Sequence, residues 1–301
     1  MTKSVQFGRR STADQVLAGI DLSGKRIVVT GCNSGLGLAT MNAFAANGAT
    51  VVGLARTIHA ATEACAQASP LCVPIACDLA DLESIAAAVR TIHDVVGPLD
   101  AIVANAGVAS LPSLQTRYGV EMQFLANHIG HFALVNGLAD LLRDGSARVV
   151  ILSGNAGIRR APEEGIMFDN LDGHRFYEPS TFYAQSKLAN ALYAKELSRR
   201  LGSRGIAVNS VDPGAARTRI NKGYWARLFA KSTARAAATQ ALLAANPQAS
   251  GITGRYWSDC RVSQGSPLLE DAVLARRLWD VSAEIVEGAA SRQEQSLSRA
   301  A

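Results

Sequence analysis

The chain of 301 residues is long enough for one large α/β domain or two smaller ones. With 48% hydrophobic residues, 18% charged residues and a mean hydropathy of +0.10, the composition excludes a disordered or fibrous protein. The excess of 30 basic over 25 acidic residues gives a net charge of +5 and a pI near 9.1. That charge is compatible with an anionic cofactor, nucleic acid or anionic lipid, and composition alone does not choose among them.

Cysteine usage and hydropathy predict a cytoplasmic protein without a metal site or membrane anchor. The five cysteines are an odd number without a CxxC pair, which argues against a disulfide framework or a zinc ribbon. No run approaches the roughly 18 apolar residues of a membrane span, and the polar N-terminus is unlike a secretory signal. His128 and His131 lack companions at metal-ligand spacing, so we interpret them as packing residues. The scattered arginines form no stripe with interleaved aromatics, which argues against nucleic-acid binding.

Short β-branched runs alternate with longer helical patterns along the chain. The runs are apolar on both faces, as in a parallel sheet covered by helices, and the alternation predicts βαβ units. We therefore predict an α/β fold: a single doubly wound Rossmann domain whose parallel sheet is flanked by helices. The predicted strands are Arg26–Thr30, Thr50–Leu54, Leu71–Cys77, Ala101–Ala104, Ala147–Leu152, Ala207–Val211 and Gly254–Ser258. The predicted helices are Leu36–Ala46, Thr57–Ala68, Leu82–Val96, Thr116–Leu142, Thr181–Leu201, Ser232–Ala245 and Glu270–Glu284.

The chain contains no Pro/Gly/Ser-rich linker, which favours one domain over two. Residues 1–22 are predicted as an N-terminal extension and residues 23–285 as the Rossmann domain. Residues 286–301 are predicted as a loose C-terminal tail.

A glycine-rich turn directly after the first predicted strand indicates a dinucleotide-binding site. Gly31 can take a positive φ in a tight turn, Gly35 lets the backbone approach a phosphate, and Gly37 allows close helix–strand packing. The following helix N-terminus presents free N–H groups to a pyrophosphate. A glycine-rich turn without a ligand is the alternative, which the strand–turn–helix context disfavours. The turn residues expected at the cofactor are Gly31, Asn33, Ser34, Gly35, Leu36 and Gly37.

The residue at the end of the second predicted strand favours NADP(H) over NAD(H). An NAD site usually has an acidic residue here that accepts hydrogen bonds from the ribose hydroxyls. This chain has Arg56, whose guanidinium can pair with a 2′-phosphate. The alternative is an arginine that is merely solvated at the start of a helix.

Further motifs follow the turn in a fixed order, and together they resemble the short-chain dehydrogenase/reductase superfamily over about residues 20–285. The resemblance implies that Asp78 and Leu79 contact the adenine, and that Pro213, Gly214 and Thr218 hold the nicotinamide carboxamide. The matching motifs are Thr30-Gly31-x3-Gly35-x-Gly37, Asp78-Leu79, Asn105-Ala106-Gly107, Asn127, Tyr183-x3-Lys187 and Pro213-Gly214 with Thr218.

Within that superfamily the chain is most similar to the retinol-dehydrogenase-like group. The similarity lies in Asn-His-Ile-Gly-His-Phe from Asn127, Ser186-Lys187-Leu188-Ala189-Asn190, Ser258-Asp259-Cys260 and the segment 275–280. Members of the group mostly prefer NADP(H), in agreement with Arg56. The N-terminus looks like that of soluble bacterial members, so the retinoid substrate is not carried over. In the superfamily the helices with Asn127 and Tyr183 often pair subunits, so a homodimer or homotetramer is one expectation.

Tyr183 and Lys187 lie one helical turn apart, so both project from one face of a helix. A free tyrosine has a pKa near 10, and a nearby ammonium together with an oxidised nicotinamide is expected to lower it. Tyr183 can then exchange a proton with a carbonyl or alcohol oxygen. The resemblance implies that Lys187 also holds the nicotinamide ribose and that Asn127 anchors a water linking Lys187 to solvent. By itself, such a pair is more often a surface contact.

The catalytic serine position departs from the family pattern. Aligned on the fifth predicted strand, Ser153 matches the first of two family serines, and Gly154 replaces the second, catalytic one. Three interpretations stay open: Ser153 takes over the role, Asn155 or a water donates the hydrogen bond, or the site is weakened or noncatalytic. Loss of one such donor commonly costs about 2–4 kcal/mol of transition-state stabilisation.

Two segments are candidates for the substrate side. The resemblance places an insertion at about 157–180 on the substrate rim, and a lid is predicted at about 219–231. The leading interpretation is an NADP(H)-dependent oxidoreductase acting on a moderately bulky apolar ketone, aldehyde or secondary alcohol. The alternatives are an NADP-dependent double-bond or ring reductase and a cofactor-binding regulator. Apolar residues at helical spacing in the lid suit a bulky apolar substrate or plain core packing: Ile220, Tyr224, Trp225, Leu228 and Phe229.

Overall fold

The computed structural model describes residues 6–109, 111–215 and 231–300. The predicted carboxamide contact Thr218 and the predicted lid, apart from Lys231, lie outside the described residues. The strands are β1 Arg26–Thr30, β2 Thr50–Ala55, β3 Val73–Ala76, β4 Ala101–Ala104, β5 Thr116–Arg117, β6 Val120–Glu121, β7 Arg148–Leu152, β8 Ala207–Asp212, β9 Tyr256–Ser258 and β10 Arg261–Ser263.

The central sheet has the order β10-β9-β8-β7-β4-β1-β2-β3. Its neighbouring strands pair in parallel except β9 with β10, which are antiparallel. The chain builds outward from β1 in one direction and then from β4 in the other. Such a reversal leaves a crevice at the carboxyl ends of β1 and β4, where doubly wound sheets bind ligands. The predicted α/β Rossmann architecture is thereby confirmed.

Helices cover both faces of this sheet, and none of the described ones is long and apolar enough to cross a membrane. Side-chain caps mark their starts. Thr57 accepts a hydrogen bond from the Ala60 N–H, and Asp81 accepts hydrogen bonds from the Glu83 and Ser84 N–H groups. The helices are Ala13–Leu17, Gly35–Ala46, Ile58–Ala68, Leu82–Val95, Met122–Phe124, Gly130–Gly137, Asn155–Ile158, Pro179–Arg200, Thr233–Ala236, Ala238–Ala245 and Ala272–Ala300, with a π-helical turn at Leu125–Ile129. Short 3₁₀ turns occupy Ala139–Leu141, Phe168–Asn170, Gly202–Arg204, Pro247–Ala249 and Pro267–Glu270.

Three helical segments are important for the position of the site. The Asn127 helix is residues 122–137, including the π-helical turn, and the Tyr183 helix is Pro179–Arg200. The C-terminal helix is Ala272–Ala300, and it packs along the Tyr183 helix. Its Trp279 lies against Phe132 and Tyr193, with ring centroids 4.9 and 5.8 Å away, and the Arg200 guanidinium lies 4.0 Å from the Trp279 ring centroid.

Two predicted elements are wrong in extent. The helix predicted over Thr116–Leu142 begins only at Met122, because β5 and β6 form a hairpin ahead of it. The hairpin turns at Tyr118 and Gly119, with φ of 57° and 74°, the pair of positive values that a tight two-residue turn requires. The last helix continues to Ala300, so the segment predicted as a loose tail is helical.

Candidate active site

The glycine-rich turn between β1 and the helix Gly35–Ala46 is closely packed. Gly31 has a φ of +68°, as predicted, and Gly35 a φ of +58°. A Cβ on Gly37 would lie 2.1 Å from the Gly31 carbonyl oxygen, which is a backbone atom with no freedom to move aside. Ser34 precedes the helix but makes no side-chain capping hydrogen bond, so the helix N-terminus keeps donors for an anion. The turn thus fits the phosphates of a dinucleotide.

A cavity of about 670 Å³ opens beside this turn at the carboxyl ends of the strands. It brings together most of the residues predicted for the site. Gly37 and Asn127 are not among its lining residues: Gly37 packs behind the turn, and Asn127 is fully buried. The predicted residues that line it are Gly31, Asn33, Ser34, Gly35, Leu36, Arg56, Asp78, Leu79, Asn105, Ala106, Gly107, Ser153, Tyr183, Lys187, Pro213 and Gly214.

Arg56 follows β2 directly and lines the cavity with an exposed side chain. It makes no ion pair with any carboxylate in the described part of the chain. A second arginine, Arg117, also lines the cavity, but its guanidinium lies 3.2 Å from the Asp81 carboxylate. Arg56 is therefore the better placed of these two arginines to receive an external anion.

The Thr30 hydroxyl joins the end of β1 to the turn after β4. Its oxygen accepts hydrogen bonds from the backbone N–H groups of Asn105 and Ala106, at 2.8 and 2.9 Å. The Asn105 amide donates in return to the Thr30 carbonyl at 2.9 Å. These three bonds hold the Asn105-Ala106-Gly107 turn against the glycine-rich turn, so both turns border one cavity.

Tyr183 and Lys187 project from the Tyr183 helix into the cavity, with Lys187 Nζ 5.6 Å from the Tyr183 ring centroid. Burial raises the pKa of Tyr183 to about 12, with a smaller contribution in the same direction from the negative charge of Asp212. This direction is opposite to the lowering expected from Lys187, because the desolvation of the phenolate dominates in this structure. Burial also lowers the pKa of Lys187 to about 8.

Asn127 is fully buried, and its side chain makes three hydrogen bonds to protein groups, only one of which is accepted by Oδ1. Its Oδ1 accepts a hydrogen bond from the Val108 N–H at 2.8 Å, and its Nδ2 donates to the Val108 carbonyl and the Ser186 hydroxyl, both at 2.9 Å. A Cβ on Gly107 would lie 3.1 Å from Asn127 Oδ1 and 3.3 Å from Lys187 Nζ. The missing side chain at Gly107 thus leaves both polar atoms facing the same small space.

The residues after β7 differ from the expected serine arrangement. Ser153 is 2% exposed, and its hydroxyl donates to the backbone carbonyl of Lys187 at 2.6 Å. Because its proton is directed into the Tyr183 helix, the hydroxyl is not free to donate to a substrate, and the assignment of Ser153 as catalytic loses its geometric basis. Asn155 does not line the cavity, and its Oδ1 has no partner among the described residues. A Cβ on Gly154 would meet no atom within 4 Å.

One wall of the cavity is not predicted from the sequence. Part of it precedes the Asn127 helix, where only Arg117 falls within the predicted helix Thr116–Leu142, and the rest is formed by Met122 and Ala126 of the Asn127 helix. Asp81 holds the hairpin in place, because it pairs with Arg117 and accepts a hydrogen bond from the Tyr118 hydroxyl at 3.3 Å. The only signal in the sequence was Tyr118-Gly119, a weak turn pair. The wall residues are Val108, Leu111, Gln115, Arg117, Met122 and Ala126.

The predicted rim insertion, about 157–180, contributes none of the described lining residues. It packs against the Tyr183 helix, where the Met167 N–H donates to Gln185 Oε1 at 3.2 Å. It also supports the wall from outside, because the Tyr177 hydroxyl donates to the Leu111 carbonyl at 2.7 Å. On the opposite side of the cavity, Gly214 has a φ of +72° and donates its N–H to Asp212 at 3.0 Å.

Comparison with known proteins identifies the family. The short chain dehydrogenase family model matches residues 25–166. Retinol dehydrogenase 14 from Homo sapiens is 34% identical, covering 88% of this chain and 87% of its own. A probable oxidoreductase from Streptomyces lividans is 37% identical, covering 88% of this chain and 98% of its own. A short chain dehydrogenase from Burkholderia cenocepacia, crystallised in complex with NADP, is 27% identical with a TM-score of 0.66, covering 79% of this chain and 97% of its own. The chain therefore belongs to the short-chain dehydrogenase/reductase superfamily of oxidoreductases, in its retinol-dehydrogenase-like group.

Proposed function

We propose that this protein is an NADP(H)-dependent oxidoreductase that interconverts a carbonyl and an alcohol on a moderately bulky apolar substrate. The observation that carries the proposal is the single cavity lined by the glycine-rich turn, Arg56, Tyr183 and Lys187. These groups correspond to phosphate binding, cofactor selection and proton transfer, and they converge where a doubly wound sheet binds its ligand. Dependence on NADP(H), the substrate class and the role of Tyr183 are parts of this proposal.

The residues present fit a dinucleotide. The turn at Gly31 and Gly37 has no room for side chains, and the helix N-terminus behind Ser34 offers uncapped donors for the pyrophosphate. Asp78 and Leu79 would border the adenine, and Pro213 and Gly214 the nicotinamide end. A bound nicotinamide supplies or accepts the hydride. Arg56, which pairs with no carboxylate among the described residues, would receive a 2′-phosphate, and this supports NADP(H) over NAD(H).

Tyr183 would transfer the proton that accompanies hydride transfer. With a pKa raised to about 12, its phenol stays protonated at neutral pH and suits donation to a carbonyl oxygen. For alcohol oxidation the pKa must fall, and the positive charges of Lys187 and an oxidised nicotinamide are the groups that would lower it. Asn127 Oδ1 and Lys187 Nζ, facing the same space at Gly107, would bind a water that returns the proton to Tyr183.

The substrate side of the cavity supports an apolar substrate. The described wall presents Val108, Leu111, Met122 and Ala126, together with Leu152 at the end of β7. With no hydroxyl at Gly154, these apolar contacts rather than a serine hydrogen bond would position the substrate carbonyl.

A cofactor-binding regulator with weak catalysis is the second candidate. The observation in its favour is the hydrogen bond from Ser153 to the Lys187 carbonyl, which leaves Tyr183 without a hydroxyl partner for the substrate oxygen. An NADP-dependent reductase of double bonds or rings is also compatible with a site that lacks the serine.

A screen of NADPH oxidation over ketones, aldehydes, quinones and enones separates these candidates. We expect turnover with apolar ketones or aldehydes, faster with NADPH than with NADH, and strongly reduced in Tyr183→Phe. Binding of NADPH without turnover across the panel would support the regulator, and turnover confined to enones or quinones would support the double-bond or ring reductase. Absence of binding to either dinucleotide would refute the proposal.

A further inference from the structure

His131 lies at the centre of a buried hydrogen-bonded chain between the cofactor turn and the Tyr183 helix. Its Nε2 is 2.9 Å from the Thr30 hydroxyl, and its Nδ1 is 2.8 Å from the Asn127 carbonyl oxygen. Asn127 in turn donates to the Ser186 hydroxyl, which donates to the Tyr183 carbonyl at 2.7 Å. His131, Asn127 and Ser186 are fully buried, and Thr30 is 1% exposed.

The partners of His131 dictate its protonation state. The Asn127 carbonyl can only accept, so Nδ1 must carry the proton. The Thr30 oxygen already accepts two backbone N–H groups, from Asn105 and Ala106, so both of its lone pairs are occupied. Its own proton therefore points to Nε2, which must be unprotonated. A cationic imidazole would place an N–H against an oxygen with no lone pair left.

The electrostatic surroundings agree with a neutral ring. Burial, and to a lesser extent the positive charge of Lys187, lower the pKa of His131 to about 4, although the Asn127 carbonyl opposes the shift. The ring therefore stays neutral throughout the pH range in which proteins are normally assayed.

The Asn127 carbonyl is an unusual place for such a contact. It lies in the π-helical turn Leu125–Ile129, where the regular i to i−4 backbone ladder is interrupted. A side chain bonded to this carbonyl stabilises the turn that presents the Asn127 side chain to Val108 and Ser186. The other end of the same ring bonds to the last residue of β1, directly before Gly31.

We propose that His131 is a positioning residue whose neutral Nδ1–H form ties the Asn127 carbonyl to the Thr30 hydroxyl and holds the Tyr183 helix in register with the cofactor turn. The functional part rests on the proposed function, since it treats the glycine-rich turn as the dinucleotide site. The tautomer follows from the hydrogen bonds alone and can be tested separately.

His128 provides a matched control on the same helix. It is also fully buried, and burial lowers its pKa to about 3. Its Nε2 lies 2.9 Å from the Ser282 hydroxyl, and its ring also interacts with the Asn190 side chain. It contacts the C-terminal helix and not the cofactor turn.

Nitrogen-15 NMR of histidine-labelled protein tests the tautomers without substrate or cofactor. We expect His131 protonated on Nδ1 at neutral pH, with the signals of His131 and His128 assigned through their asparagine variants. A His131 that is cationic, averaged between tautomers or protonated on Nε2 would overturn the proposal, whatever the protein's function.

Titration of His131→Asn with NADPH tests the positioning role. Asparagine can keep the bond to the i−4 carbonyl, as Asn47 does to Ala43 and Asn136 to Phe132, both at 2.8 Å, but it is too short to reach Thr30. Loss of the Thr30 contact should raise the Kd for NADPH about ten-fold. Thr30→Val should weaken binding as well, and the double variant should lose less than the two single losses combined.

His128→Asn should lower the melting temperature while leaving the Kd for NADPH unchanged. An unchanged Kd in His131→Asn, or an equal increase in His128→Asn, would overturn the positioning role. A wild-type protein that binds neither NADPH nor NADH would instead refute the proposed function, and the NMR result would still decide the tautomer of His131.

Discussion

The two halves of the cavity are built on different principles. The nucleotide half consists of backbone held at close quarters, with Gly31 and Gly37 packed against each other and Thr30 bonded to the Asn105 turn. The substrate half consists of side chains from the residues around the β5–β6 hairpin and from the Tyr183 helix. Among the described residues directly after β7 it has no free serine hydroxyl, because position 154 is glycine and Ser153 bonds to the Lys187 carbonyl. A side chain at Gly37 would clash in the first half, whereas one at Gly154 in the second half would meet no atom within 4 Å.

This difference indicates which substitutions should affect binding of the dinucleotide and which should affect turnover. In the nucleotide half many backbone contacts together would hold the dinucleotide. Substitutions in the glycine-rich turn should therefore act mainly through the size of the new side chain. In the substrate half the proposed function assigns proton transfer to Tyr183, with Lys187 close to its ring, so single changes of chemistry there should have the largest effects on turnover.

Replacement of Tyr183 by phenylalanine is the strongest test of the substrate half. The variant keeps the ring and its packing but removes the proton donor, so turnover should fall about 10³-fold while the Kd for NADPH changes little. Steady-state kinetics and a binding titration measure the two effects. Tyr193→Phe is a matched control on the same helix, because Tyr193 is 1% exposed and packs in the aromatic cluster with Trp279. Turnover retained in Tyr183→Phe would remove Tyr183 from the mechanism.

Replacement of Gly154 by serine should increase turnover, because it adds a hydroxyl group to the substrate half. A Cβ there meets nothing within 4 Å, and a φ of 172° is extended backbone that serine adopts freely. Gly154→Ser should therefore fold normally and raise kcat about 10²-fold, the effect expected from one added hydrogen-bond donor to the substrate oxygen.

Ser153→Ala should leave kcat nearly unchanged. It should lower the free energy of unfolding by about 1 kcal/mol, because the hydrogen bond to the Lys187 carbonyl is lost. A large loss of turnover in Ser153→Ala would restore Ser153 as the catalytic serine.

Replacement of Gly37 by alanine should weaken NADPH binding through the size of the added methyl group alone. Its carbon would lie 2.1 Å from the Gly31 carbonyl, so the turn must open and the Kd for NADPH should rise by some tens-fold. Gly202→Ala is the matched control, because a Cβ there meets nothing within 4 Å. Circular dichroism verifies that both variants fold. NADPH binding as tight as in wild type would show that the turn does not contact the cofactor.

Charge reversal at Arg56 should change selectivity rather than catalysis. In Arg56→Asp the ratio of kcat/KM for NADPH over NADH should fall about ten-fold or more, since a carboxylate repels the 2′-phosphate and accepts ribose hydroxyls. Arg117→Ala provides the comparison, because that arginine lines the same cavity but is paired with Asp81. If both variants shift the ratio equally, Arg56 is not the residue that reads the phosphate.

The same contrast between backbone and side-chain contacts explains which features could be predicted from the sequence. β1 and β4 were predicted to the residue, because a buried parallel strand leaves a continuous apolar run that ends at a turn. The glycine-rich turn could be predicted, because each of its glycines meets a specific need of the backbone for conformational freedom or close packing. The hairpin at Tyr118 was not, because its turn contains only one glycine and is held by Asp81, which lies 37 residues earlier. The commitment of Ser153 to the Lys187 carbonyl and the contacts of His131 also depend on side chains brought together only by folding.

The C-terminal helix has a consequence for assembly. It packs along the Tyr183 helix, with Trp279 set between Phe132 and Tyr193 and Arg200 stacked on the indole. The C-terminal helix thus covers part of the helix surface through which the sequence resemblance leads us to expect subunit pairing. A homodimer built on that covered surface would first require the C-terminal helix to be displaced.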